Sequence, residues 1–186
     1  MKKTLIVVDM QNDFITGPLG NNETKEVYER MRVALPNLCD DNTLVIFTRD
    51  THCKETYMNS IEGKKLPVEH CIEGTDGWKI APYLLDVVHK WNYFTLTGKP
   101  MIVDKNTFGA TVLPNMIEWW ADEGEVEEIT IVGVCTDICV ISNALLLKAY
   151  FPEAVIKVPE MLCAGTTPEN HCKACDIMKQ CHIEIV

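Results

Sequence analysis

Short apolar runs alternate with helix-length amphipathic stretches along the whole chain, and this alternation limits the fold more than any other feature. Residues 4–8, 44–47, 101–103, 129–132, 154–158 and 182–186 read as strands. Thr4 to Val8 and Ile129 to Val132 lack the polar alternation of a half-exposed strand, as expected where both faces of a parallel sheet are covered. Residues 23–38, 81–90, 112–123, 138–150 and 168–179 carry apolar residues at helical spacing. Trp119 and Trp120 are expected to pack against the sheet. Strands alternating with helices imply βαβ units. The expected fold is a three-layer α/β/α domain over residues 1–186, with a mainly parallel sheet of about six strands. Residues 53–80 form a long loop with Gly63, Pro67, Gly74 and Gly77; a loop of that length in a compact domain is usually functional.

Right-handed crossovers place the carboxyl ends of parallel strands on one edge of the sheet, where open α/β folds build their sites. Three strands end there in reactive side chains: Asp9, Lys105 and Cys139. Cys139 follows the turn Gly133-Val134-Cys135-Thr136-Asp137 and opens a helix that Thr136 or Asp137 can cap. The helix dipole and a nearby Lys105 both favour thiolate over thiol. Asp9 would take the thiol proton and return it to a leaving group, which completes the logic of an activated nucleophile. The alternatives are structural: one more buried cysteine among nine, a loop-capping aspartate and a solvated lysine.

A second cluster lies at the next strand end. Asp50 and His52 are two apart and share a side of an extended strand. Glu62 and His70 follow in the long loop. Two imidazoles with a carboxylate form a facial set for a divalent metal such as Zn, Fe or Mn. His171, Cys172, Cys175, Cys181 and His182 look like a zinc cluster, but Cys172 and Cys175 fall on one helix and core packing is the expectation there.

Composition narrows the partners. The formal net charge is −10, which argues against a nucleic-acid or anionic-membrane surface. No run reaches transmembrane length, and Asp9 and Asp13 interrupt the first apolar run too early for a signal peptide. Nine cysteines, an odd number, without an export signal are expected to be reduced thiols in the cytoplasm. A small-molecule substrate fits these bounds. The oligomeric state stays open, a homo-oligomer included.

Five motifs in order resemble the isochorismatase-like cysteine hydrolases, and within them the nicotinamidases (pyrazinamidases). They are DMQNDF at 9–14, TRDTH at 48–52, EGKKLPVEHCIEGTDGW at 62–78, DKNTFGA at 104–110 and GVCTDICV at 133–140. The resemblance implies a catalytic triad of Asp9, Lys105 and Cys139. It implies metal ligands at Asp50, His52 and His70, with Glu62 as an extra acidic group. It also implies a cis peptide at Val134–Cys135 and an oxyanion hole from the N–H groups of Cys135 and Cys139. Two departures bear on the substrate. Thr51-His52-Cys53 stands where many nicotinamidases have WHP, and Met58 stands near a further family histidine. Leu66-Pro67 replace a ring-stacking tryptophan, so Phe14, Phe108 or Trp78 are the candidates for the aromatic wall. The expected activity is hydrolysis of nicotinamide to nicotinate and ammonia through a thioester. The runner-up is a ureido- or carbamoyl-directed C–N hydrolase of the same superfamily. A redox pair of Cys135 and Cys139 is the reading from a different class.

Overall fold

The structure, a computed structural model, describes residues 2–40, 42–89, 101–121 and 125–186. Its strands are β1 (Lys2–Val8), β2 (Thr43–Asp50), β3 (Met101–Lys105), β4 (Val126–Val134), β5 (Val155–Val158), β6 (Cys163–Ala164) and β7 (Glu184–Ile185). Its helices are α1 (Asn12–Ile15), α2 (Asn22–Leu38), α3 (Lys54–Tyr57), α4 (Ile61–Lys65), α5 (Pro82–His89), α6 (Leu113–Ala121), α7 (Ile141–Tyr150) and α8 (Pro168–Gln180). The sheet has seven strands in the order β3-β2-β1-β4-β5-β7, with β6 also on β4. All of these pairings are parallel.

The apolar runs are unbroken because both faces are covered. Ile6 and Val8 of β1 point into a cluster with Ile117 of α6, Leu147 of α7 and Met178 of α8. Their neighbours Leu5 and Val7 point the other way, to Met31 and Leu35 of α2 and Leu84 of α5. Each of these side chains is at most 1% exposed. Burying a Leu, Ile, Val or Met stabilises the fold by roughly 1.5–3 kcal/mol, so both layers hold the sheet. α2 starts where Asn21 accepts the Thr24 N–H at 2.7 Å, and α8 where Thr167 accepts the Asn170 N–H at 3.1 Å. No helix among the described residues is long and apolar enough to cross a membrane.

Register sets the functional edge. Val8 lies opposite Thr48 on β2 and Gly133 on β4, and Asp50 lies opposite Lys105. The strands therefore end nearly level. Gly133 has φ +126, and a Cβ there would stand 2.1 Å from the Val8 carbonyl oxygen. Only glycine lets β1 and β4 meet so closely just before the chain turns into the site.

Several boundaries differ from the sequence reading. Residues 53–80 carry two short helices, α3 and α4. The last strand shrinks to Glu184–Ile185, and β6, only two residues long, has no sequence signal of its own. α5 runs to His89, and Lys90 lies outside the described residues, as do residues 122 and 123 of the expected third helix. Trp120 is buried as expected, but Trp119 is 75% exposed. Adjacent positions on a helix point about 100° apart, so one sheet-facing stripe does not hold both.

Candidate active site

β1 ends at Val8, and Asp9 then adopts φ +49, which turns its side chain across the strand ends. It is fully buried. Its Oδ1 accepts the Thr48 hydroxyl at 2.7 Å. Its Oδ2 lies 2.7 Å from Lys105 Nζ. The contact is a buried ion pair in which the ammonium also donates a hydrogen bond to the carboxylate. Lys105 Nζ is in turn 3.5 Å from Cys139 Sγ. The structure thus brings Asp9, Lys105 and Cys139 together from three strand ends.

Cys139 sits in a π-helical turn, Thr136–Val140, ahead of α7 rather than in the first turn of an α-helix. The Val140 N–H reaches five residues back to the Cys135 carbonyl at 3.1 Å. The peptide bond Val134–Cys135 is cis. Buried Asn143 braces this turn: its Nδ2 donates to the Cys139 carbonyl and its Oδ1 accepts the Ala110 N–H, both at 2.8 Å. The nucleophile turn and the loop after Lys105 are held by one amide.

The electrostatics differ from expectation at the thiol. Burial raises the Cys139 pKa well above the ordinary cysteine value, and the Asp9 charge adds to it. Lys105 works in the opposite direction, as anticipated, without prevailing. The helix-dipole argument fails because the thiol is only 7% exposed and faces a carboxylate. Burial also raises Asp9, against the pull of Lys105, so it is a stronger base than an ordinary carboxylate. Burial alone would lower Lys105, but Asp9, Cys139 and Asp50 raise it and keep it an ammonium. The resting arrangement is a thiol beside a basic carboxylate, with a fixed positive charge between them.

Asp50 links this triad to the second cluster, since its Oδ1 is 3.7 Å from Lys105 Nζ. Its Oδ2 lies 2.9 Å from His52 Nε2 and 3.5 Å from His70 Nε2. Glu62 Oε1 is 3.7 Å from both imidazole nitrogens. Among the described residues this is the one group of three or more donors able to hold a metal, all within 4.8 Å of one another. Donors bound 2.0–2.2 Å from one tetrahedral centre lie roughly 3.4 Å apart, so the spacing fits. The tautomer fits too. His70 Nδ1 is 2.9 Å from the Val68 carbonyl, which only accepts, so Nδ1 carries the hydrogen and Nε2 is left for a metal. Burial opposes the Asp50 charge, but His52, His70 and Lys105 together hold its pKa below the ordinary range. Burial and the Asp50 charge raise Glu62. Burial would lower His70, yet the hydrogen bonds it donates to the Asp50 carboxylate and the Val68 carbonyl raise it. The cysteines of α8 and its C-cap join no such group: Cys175 is buried while Cys172 and Cys181 are exposed.

Tyr57 was not singled out by the sequence. It is buried, its ring centroid lies 4.8 Å from that of His52 and 5.3 Å from that of His70, and its hydroxyl donates to the Leu66 carbonyl at 2.8 Å. It occupies the wall of the cluster, while Met58 is 45% exposed.

A cavity of about 990 Å³ opens onto both clusters, with His52, Tyr57, Glu62, Lys105, Phe108 and Ile138 in its lining. Phe108 is the candidate aromatic residue on this wall. Phe14 instead packs edge-on to His70, with centroids 5.6 Å apart. Trp78 is outside the lining: the Arg49 guanidinium stacks 3.4 Å from its ring centroid, and its Nε1 donates to Thr51. Arg49 is held flat by Asp104 through two hydrogen bonds.

Comparison with known proteins agrees with this architecture. The isochorismatase domain family model matches residues 3–186. A Bacillus subtilis protein described as an uncharacterized isochorismatase family protein, PncA, is 28% identical over 92% of this chain and 91% of its own length. A Saccharomyces cerevisiae nicotinamidase is 27% identical over 77% of this chain and 80% of its own. Nicotinamidase 1 of Arabidopsis thaliana is 31% identical over 73% of this chain, which spans 56% of that protein. Among solved structures, the nicotinamidase/pyrazinamidase PncA of B. subtilis superposes with a TM-score of 0.79 at 24% identity over the whole of both chains. A Pyrococcus horikoshii pyrazinamidase in complex with zinc superposes with a TM-score of 0.75 at 22% identity, over 100% of this chain and 99% of that one. With five ordered motifs, a sheet edge that gathers them and a family match across nearly its full length, this chain belongs to the isochorismatase family.

Proposed function

We propose that the protein is a cysteine-dependent amidohydrolase that converts nicotinamide to nicotinate and ammonia. The observation that carries this reading is the contact between a buried Asp9–Lys105–Cys139 cluster and a four-donor metal-binding group, joined through Asp50. The names of the yeast and Arabidopsis relatives support the substrate.

Asp9 takes the Cys139 proton as sulfur attacks the amide carbon, so no free thiolate is needed in the resting enzyme. Lys105 keeps its charge throughout and stabilises sulfur as the proton leaves. The backbone N–H groups of Cys135 and Cys139 receive the developing oxyanion, a large share of the stabilisation in acyl transfer. Asp9 returns its proton to the nitrogen as the C–N bond breaks, and ammonia leaves. Water then attacks the thioester, with Asp9 taking its proton and passing it to the departing sulfur. Asp50, His52, His70 and Glu62 would hold a divalent Zn, Fe or Mn ion, which supplies a Lewis-acid partner for the ring nitrogen. Its value is orientation: a small flat ring has few handles, and fixing it over Cys139 lowers the entropic part of the barrier.

An ammonia-release assay on nicotinamide, pyrazinamide, ureidoacrylate and N-carbamoylsarcosine tests the reading, with metal analysis of the same sample. Nicotinamide and pyrazinamide should be turned over, and Cys139→Ser should abolish release while Cys135→Ser retains it. Release from the ureido or carbamoyl compounds alone would move the protein to another branch of the family.

A further inference from the structure

The metal-binding group draws its ligands from a strand end and from a long loop, two elements with no common backbone. Both are tied to α1 and the residue before it. Gln11 is fully buried, and its side-chain amide is wholly used. Its Oε1 accepts the Asp50 N–H at 2.7 Å, and its Nε2 donates to the Asp50 carbonyl at 2.8 Å and the Trp78 carbonyl at 2.9 Å. β1 has ended and the chain has turned away at Asp9, so this side chain meets Asp50 as a strand residue would. Asp50 is therefore gripped on one side by Gln11 and registered against Lys105 on the other.

Asp13 does the corresponding work for the loop. Its Oδ2 accepts the N–H of Cys71 at 2.8 Å. Cys71 directly follows His70 and has φ +48, a conformation unfavourable for a residue with a Cβ. The Cys71 carbonyl in turn accepts the His52 N–H at 3.0 Å. One residue, Cys71, thus connects both histidines, and Asp13 is the side chain that holds its N–H. The Asp13 carboxylate is itself confined by two glycines: a Cβ on Gly77 would stand 2.1 Å from its Oδ1, and one on Gly17 2.5 Å.

We propose that Gln11 and Asp13 are positioning residues for the metal-binding group, Gln11 holding Asp50 and Asp13 holding His70 and His52 through Cys71. Neither is one of the four donors of that group. The proposal rests on the metal reading above. It predicts behaviour that a general loss of stability does not give, because the group can be perturbed without deleting any of its donors.

The test is titration of the metal-free full-length protein with Co²⁺, following the visible d–d absorption, for wild type, Asp13→Ala, Asp13→Asn, Gln11→Ala and Gly77→Ala. Folding of each is checked by circular dichroism and Cys139 by alkylation. Loss of an outer partner of a metal ligand typically lowers affinity 10–100-fold. Asp13→Ala and Gln11→Ala should weaken Co²⁺ binding by that factor and change the band shape. Asp13→Asn keeps an acceptor for the Cys71 N–H and should recover most of the affinity. Gly77→Ala removes no polar group, yet by displacing the Asp13 carboxylate it should behave like Asp13→Ala. Wild-type protein that takes up no Co²⁺ at these donors would overturn the metal site and the proposal together. Wild-type binding with Asp13→Ala and Gln11→Ala within about twofold of it overturns the proposal alone. So does Asp13→Asn as weak as Asp13→Ala, since charge and not positioning would then be the cause.

Discussion

Thr48→Val isolates one hydrogen bond to the proposed base. The Thr48 hydroxyl donates to Asp9 Oδ1 at 2.7 Å, and both residues are fully buried. Valine keeps the shape and removes the donor. The Asp9 N–H, which lies 3.2 Å from the Thr48 hydroxyl oxygen, retains the Thr48 carbonyl oxygen, also at 3.2 Å. A hydrogen bond to a charged group contributes about 1.5–3 kcal/mol. At about 1.4 kcal/mol per unit, its loss corresponds to a rise of roughly 1–2 units in the Asp9 pKa, because the bond favours the ionised form. The acid limb of kcat/KM reports the free enzyme's base. Burial raises Asp9 above the ordinary carboxylate value, so the wild-type limb is expected above that range, and Thr48→Val should move it further up by this amount. The assay is ammonia release from nicotinamide across the acid limb, with Thr48→Ser as the variant that keeps the hydroxyl. A folded Thr48→Val enzyme whose acid limb stays within a few tenths of a unit of wild type, roughly the scatter of such a fit, would refute the assignment of Asp9 as base.

Four further outcomes are expected. Lys105→Met leaves the Asp9 carboxylate buried and uncompensated, which should cost about 3–5 kcal/mol in chemical denaturation; the double variant with Asp9→Asn should recover most of it, and an additive loss would contradict the ion pair. Iodoacetamide should label Cys139 more slowly than exposed Cys53, Cys172 and Cys181 at neutral pH, with the rate rising only as pH passes the ordinary thiol value of about 8.5; preferential labelling of Cys139 at neutral pH would contradict its raised pKa. Chelation should abolish nicotinamide turnover without changing that alkylation profile, and full turnover by demonstrably metal-free protein would remove the metal from the reaction. Phe108→Ala should raise KM with a smaller effect on kcat, because Phe108 lines the cavity and supplies no polar side-chain group to the chemistry; a kcat loss at constant KM would assign it a different role.

The alternation of apolar runs and helical stretches determined the class of fold, because a strand buried on both faces cannot accept polar residues and a parallel neighbour requires a crossover. The candidate triad and the candidate metal donors were legible for a related reason: each closes a strand or follows one, and topology alone delivers strand ends to a common edge. The resemblance then joined Glu62 and His70, which spacing alone left loose in a long loop. What the sequence does not encode locally is environment. Cys139 reads as an activated thiolate from its place at a helix start, whereas the tertiary structure buries it beside Asp9, which raises its pKa. Trp78 reads as a ring-stacking wall, and is held by Arg49 because β2 brings that guanidinium across its face. Gln11 and Asp13 stand inside a quoted motif, yet their partners Asp50 and Cys71 are 39 and 58 residues away. Hydrogen bonds over such separations leave no periodicity to read, and only the folded chain brings their two ends together.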